Sequence, residues 1–180
     1  MRTDELALRE LAASQGTTTN AIYTLFGGKD QLIDRVIDSA VVRLVEIQTK
    51  AIGDTPTMAS LQDLGRAYRK WALEHPELYR ILFVYRSMCP IERGPDRCGY
   101  VIQPLKRLLN DLAERGAIVA ENVDAIALTL RATLHGWIMF ELNHVHDFGA
   151  GDADSRFEHH MSYFLQGIMP QQLVTPGSYA

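Results

Sequence analysis

Gly16-Thr17-Thr18-Thr19-Asn20-Ala21-Ile22-Tyr23-Thr24-Leu25-Phe26-Gly27-Gly28-Lys29 is the stretch that decides how this chain folds. It reads as a tight turn feeding a short helix with two chemically different sides. Ile22, Leu25 and Phe26 recur at i, i+3 and i+4 and are expected to face a core. Thr19, Asn20, Tyr23 and Thr24 share the other side. Short hydroxyl and amide groups beside one tyrosine suit phosphate and base-edge contacts, because they donate and accept without burying a charge. Gly16 permits a positive φ, and Thr17 or Thr18 stands where an N-cap is needed. Upstream, Leu8, Leu11 and Ala12 give a short amphipathic helix from about Asp4 to Ser14. Two helices joined by such a turn form a helix-turn-helix.

Gly27-Gly28 ends the second helix, and Lys29-Asp30 opens a longer third one. Its stripe runs through Leu32, Ile33, Val36, Ile37, Ala40, Val41, Leu44 and Val45. Gly53 to Thr57, with Pro56, is the clearest boundary. It divides a head with its connecting helix (1–50) from a second domain (51–170) and a tail (171–180). Beyond the boundary every periodic segment is helical. Leu61, Leu64, Tyr68, Trp71 and Ala72 form one stripe that stops near His75, because Pro76 cannot continue a helix but can open the next. Ser87 to Gly99 reads as a loop. Val101, Leu105, Leu108, Leu109 and Leu112 make a helix that stops near Gly116, and Asn122 or Asp124 can cap the following one. Phe157, Met161, Phe164, Leu165 and Ile168 mark the last. With no alternating pattern, repeat or low-complexity tract, the predicted fold is all-α.

The 180 residues are 47% hydrophobic and 22% charged, the mix of a folded globular protein. The most apolar stretch, Ala125 to Leu142, is interrupted by Arg131, His135 and Glu141 and reads as a buried helix rather than a membrane span. Arg2, Asp4, Glu5, Arg9 and Glu10 crowd the place of a signal peptide, so a cytoplasmic location is expected. Net charge is −4, and residues 1–50 hold six Lys/Arg against seven Asp/Glu. That balance excludes indiscriminate nucleic-acid binding and leaves the head without the usual basic footprint.

Cys89 and Cys98 can pair, but in such a chain read as two reduced thiols. His144, His146, His159 and His160 with Asp147 invite a metal reading; His144 and His146, two apart, point in different directions, and no metal is expected. His135 reads as a core histidine bonded to a buried carbonyl, with Gly136 permitting close helix approach. Arg131 and Glu141 each need a partner elsewhere. No nucleophile with a neighbouring base, glycine-rich phosphate loop or paired carboxylates appears, so neither enzyme activity nor a cofactor is expected. Trp71, Phe83, Met88, Trp137, Met139 and Phe140 are the bulky residues an apolar pocket would use, most of them serving as core.

Leu11-Ala12 to Gly16, Thr18, Ala21-Ile22-Tyr23, Phe26, Gly28-Lys29-Asp30 and Leu32 resemble the turn and recognition-helix signature of TetR/AcrR transcriptional regulators. Tyr68-Arg69-Lys70-Trp71-Ala72, His75-Pro76-Glu77-Leu78-Tyr79-Arg80 and Leu134-His135-Gly136 resemble the family's WHG-type C-terminal domain. The resemblance implies a homodimeric repressor that reads a palindromic DNA operator and is released by a small apolar effector. It puts Thr18, Thr19, Asn20, Tyr23 and Thr24 on DNA-facing positions and Lys29 on the lysine that meets phosphate. Trp71, Phe83, Met88, Trp137 and Phe140 are the candidate effector contacts. Two departures stand out. Ala7 replaces a Ser or Thr able to cap and touch phosphate, and the family's first head helix is expected before residue 3, pointing to a late start or a natural variant. The alternative reading is a helical dimerisation and ligand-binding module that no longer binds DNA.

Overall fold

The computed structural model describes residues 3–85, 97–119, 122–145 and 151–169, and these are helical throughout. The chain runs α1 (Thr3–Ser14), α2 (Thr19–Phe26), α3 (Lys29–Ile52), α4 (Met58–Glu74), α5 (Pro76–Arg80), a π-helical turn (Ile81–Tyr85), α6 (Arg97–Glu114), α7 (Val123–Leu142) and α8 (Ala153–Ile168), with no strand among the described residues. Met88, Cys89, His146, Asp147 and the tail 171–180 lie outside the described residues.

Local chemistry sets the ends. Gly16 turns the chain with φ 63°, and Gly27 ends α2 in the left-handed region at φ 84°. Thr18, rather than Thr17, caps α2, and Asn122, rather than Asp124, caps α7 by accepting from the Ala125 amide at 2.9 Å. Thr57 and Ser60 form a capping box at the start of α4. Pro76 sits in the first turn of α5, where its missing N–H costs nothing. Of the loop expected from Ser87 to Gly99, residues 97–99 are already helical at the start of α6, and the rest lies outside the described residues.

Two buried clusters form. The small one joins Leu8, Ala12 and Ile22, with Leu32 against them. The large one begins at Ile37 and takes in Leu44, Leu64, Trp71, Tyr79, Leu109, Leu130, Ile138, Phe157 and Met161. The seam between them falls inside α3, which serves both. Each apolar side chain of the large cluster is worth roughly 1.5–3 kcal/mol of burial, and the helices α4, α6, α7 and α8 close around it.

Three expectations are corrected. Leu25 is 74% exposed and Phe26 and Leu11 are also exposed, because an eight-residue helix packed on α1 and α3 covers only a strip centred on Ile22. His135 Nδ1 meets the Tyr79 hydroxyl at 2.7 Å, not a carbonyl. Gly136 faces open space, and close approach occurs instead at Gly65, where a Cβ would stand 2.9 Å from Met161 Cε and 3.6 Å from Leu134 Cδ2. Arg69 forms a two-pronged bridge to Glu141, with both contacts at 2.7 Å, and reaches Asp154 at 2.7 Å. It ties α4 to both α7 and α8. Arg131 lies over the Phe83 ring, 5.7 Å from its centroid.

Candidate nucleic-acid interface and ligand cavity

The outer side of α2 carries the polar group expected from its sequence. Asn20, Tyr23 and Thr24 are exposed, with Tyr23 at 50%, and Thr19 is half-buried. Two of the hydroxyls are oriented by the helix. Thr18 Oγ1 accepts from the Ala21 amide at 3.1 Å, leaving its proton to give. Thr24 Oγ1 donates to the Asn20 carbonyl at 2.9 Å, leaving its lone pairs to accept. Lys29 opens α3 behind the Gly27-Gly28 turn, at the helix end whose dipole favours an anion. The Tyr23 ring leans on Gly28, whose Cβ, if present, would lie 3.5 Å from it. Asn20, Tyr23 and Thr24 thus share the exposed side of α2, with Thr18 at its N-cap, part-buried Thr19 beside it and Lys29 at the start of α3.

The head is tied to the rest through α3. Arg97, at the first turn of α6, donates from Nε to Asp38 Oδ1 at 2.7 Å and lies 3.6 Å from Asp34 Oδ1. Its side chain is 11% exposed, so the pair is better shielded from salt than a surface bridge. Ten residues along α3, the amide of buried Gln48 donates to the Leu44 and Val101 carbonyls, each at 3.2 Å. Together these bonds fasten α6 to α3.

Between α3, α4, α6 and α7 lies a small cavity of about 20 Å³, room for a single water. Leu64, Leu105 and Leu134 wall it, and Gln48, Tyr68 and Arg131 supply its polar groups. Tyr68 is buried, with its hydroxyl beside that of Tyr79 but outside good hydrogen-bond geometry. Burial pushes the Tyr68 phenol up to about 12, against the opposing pull of the Arg131 charge. The neighbouring Tyr79 hydroxyl is taken by His135, and burial drives the Tyr79 phenol far above its usual range. His135 is held below its ordinary value, by burial first and by Arg131 second. It is therefore neutral near pH 7, and its Nδ1 shares a hydrogen bond with the Tyr79 hydroxyl.

The five residues expected to contact an effector are scattered. Trp71 is buried in the core beside His75 and Tyr79. Phe83 packs on Tyr79 and His135, with centroids 4.6 and 5.4 Å away. Trp137 stacks on His160 at 4.6 Å, and Phe140 points outward at 58% exposure. Met88 is outside the described residues. None of the four described residues lines this cavity. The residues that do, Gln48, Tyr68, Arg131 and Leu134, were not singled out as a group, although the charge of Arg131 within an apolar helix marked it. A wider groove of about 350 Å³ opens between the end of α3 and α6, past Thr49, Pro56, Pro104, Arg107 and Asp111, where Asp111 is paired with Arg115 at 3.0 Å. No group of three or more potential metal ligands occurs among the described residues, and no described helix is long and apolar enough to cross a membrane.

The same architecture occurs in solved structures. A protein of unknown function from Rhodococcus sp. RHA1 superposes with a TM-score of 0.78 at 22% identity, over 93% of this chain and 87% of that one. A TetR-family transcriptional regulator from Pectobacterium atrosepticum gives 0.67 at 20% identity, over 89% and 81%. The ketosteroid transcriptional regulator KstR2 of Mycobacterium tuberculosis gives 0.62 at 18% identity, over 91% and 85%. At such identities these likenesses speak for the fold. No curated protein matches the chain in sequence. The family model described as "Tetracyclin repressor-like, C-terminal domain" matches residues 61–164, from α4 into α8. Because that match spans more than half of the 180 residues, the chain belongs to the TetR family of transcriptional regulators.

Proposed function

We propose that this protein is a one-component repressor that works in the cytoplasm as a homodimer, binds a palindromic DNA operator and is released by a small apolar effector. Residues 1–50 act as the reading head with its connecting helix, residues 51–170 as the dimerisation and effector domain, and residues 171–180 as a tail. Thr18, Thr19, Asn20, Tyr23, Thr24 and Lys29 make the DNA contacts. The observation that carries the reading is the exposed polar side of α2, followed by Lys29 at the start of α3, joined through α3 to the family's C-terminal domain. Dimerisation is supported by the outward face of α7. Ala125, Leu128, Thr129, Ala132, Gly136 and Phe140 lie there without a charge, and Leu128 and Phe140 are each more than half exposed. Effector binding shifts the dimer between two arrangements, of which only one spaces the heads to match both half-sites.

The test is fluorescence anisotropy on duplexes tiling the DNA upstream of the protein's own gene, at several salt concentrations. A specific complex is expected, with a salt slope lowered by about one for Lys29→Ala, the loss of one phosphate contact. Tyr23→Ala should weaken the specific complex more than binding to random DNA. Phe140→Asp should give monomers in sedimentation and lose operator binding. Failure of the full-length protein to form any salt-dependent specific complex would overturn the proposal.

A further inference from the structure

The head carries an unfavourable balance of charge for a reader of DNA. Residues 1–50 hold six Lys/Arg against seven Asp/Glu, the wrong sign for a surface that approaches phosphates. Helix α2 has no charged residue at all, so its electrostatics are set by its neighbours. Two of the carboxylates, Asp34 and Asp38, follow Lys29 on α3 and lie four apart, hence on one side of the helix. At the usual helical rise they stand about 8 and about 14 Å from Lys29 along the axis. That is roughly one to two screening lengths from a phosphate met by Lys29 at physiological salt.

The C-terminal domain supplies the cation that the head lacks. Arg97, in the first turn of α6, lies 3.6 Å from Asp34 Oδ1 and donates from Nε to Asp38 Oδ1 at 2.7 Å. Its side chain is 11% exposed, whereas those of Asp34 and Asp38 are 46% and 45% exposed. The arginine is thus committed to the two carboxylates, while each of them keeps an open side through which its charge reaches solvent.

We propose that Arg97 is a positioning residue for DNA binding, a cation lent by the C-terminal domain that cancels Asp34 and Asp38 beside the reading end of α3. This rests on the proposed function, since it concerns the regulation of that same DNA-binding site. Withdrawal of the first turn of α6 uncovers two negative charges on the helix that carries Lys29, and nearby phosphates are repelled whatever their base sequence. Movement in the C-terminal domain thereby reaches the DNA as charge, with no change in α2 itself. A strut between head and core acts differently. It fixes an angle, and its loss harms the specific complex alone, at every salt concentration.

The experiment is fluorescence anisotropy of the full-length protein on its specific duplex and on a random duplex of equal length, at about 50 and about 200 mM salt. Arg97→Ala should weaken both complexes by a similar factor, about fivefold at the lower salt and less than about twofold at the higher. Adding Asp34→Asn and Asp38→Asn to Arg97→Ala removes the charges without rebuilding the bridge, and should restore the affinity of the unmodified protein or exceed it. Asp34→Asn with Asp38→Asn alone keeps Arg97 and should tighten both complexes, which reads the charge even if Arg97→Ala melts early. Arg115→Ala, at the far end of α6, should change neither complex. Unchanged binding by Arg97→Ala, a loss confined to the specific duplex, a loss equal at both salts, or a loss that the two asparagines fail to restore overturns the inference and leaves the regulatory reading standing. A full-length protein that binds neither duplex brings down the proposed function first, and the inference with it.

Discussion

At the scale of single residues, most consequences concern buried charge and two histidines. Arg69 and Glu141 are 13% and 8% exposed and bonded through both nitrogens and both oxygens. Glu141→Ala leaves a guanidinium half-enclosed with only exposed Asp154 for company. Loss of a partner from a buried pair typically costs about 3–5 kcal/mol, and here the lower end is expected in urea denaturation because Asp154 remains. Proton linkage gives a second outcome. His135 and His160 are both depressed in the folded state, chiefly by burial. A depressed histidine binds its proton more weakly when folded, so its contribution is complete above the unfolded value of about 6.5 and is lost as pH falls below it. The melting temperature should therefore drop as pH is lowered from about 7 to 5, and His135→Gln, which keeps an acceptor for Tyr79, should flatten that slope. A melting temperature that rises on acidification in this range would contradict the assignment. The need of Glu141 for a partner was legible in the sequence, but the partner was not. It lies on another helix, and local spacing carries no information about contacts between distant segments.

At the scale of elements, the sequence was most informative where one residue type has one physical use. Gly16, Thr18, Gly27, Pro76, Gly116 and Asn122 end or begin their helices as their chemistry requires. Thr18→Ala removes the hydroxyl that satisfies the Ala21 amide and should destabilise the head by about 1 kcal/mol. Thr18→Asn, which can still cap, should recover most of this in the same thermal melts. Faces were read less well than ends. The periodicity of α2 gave its apolar positions but not how wide a strip its neighbours cover, and Leu25 is consequently exposed. The early start of α6 was hidden because Arg97, Cys98 and Gly99 have the composition of a loop. What holds that first turn is tertiary, the bond from Arg97 to Asp38. The candidate DNA contacts were legible as one side of a short helix. The cavity was not, since it is assembled from α3, α4, α6 and α7 by packing.

At the scale of the whole molecule, the division of the core matters more than any single contact. The large cluster recruits seven helical segments, whereas the head has Leu8, Ala12 and Ile22 with partly covered Leu32, and several apolar neighbours face outward. Local stability follows burial, so a structure built this way opens in parts rather than all at once. Amide hydrogen exchange should show α1, α2 and the first turns of α3 exchanging orders of magnitude faster than α4, α7 and α8, with protection returning to the head in the presence of its specific duplex. Uniform protection from α1 to α8 would argue against two separately opening parts. The Arg97 bond to Asp38 then marks where fast exchange gives way to slow along α3. Under the proposed function, a head of this kind would meet DNA partly ordered and complete its ordering on the duplex. Its affinity is accordingly set by how much structure it already has before it arrives, and any substitution that firms up Leu8, Ala12 and Ile22 would tighten DNA binding without touching a base or a phosphate.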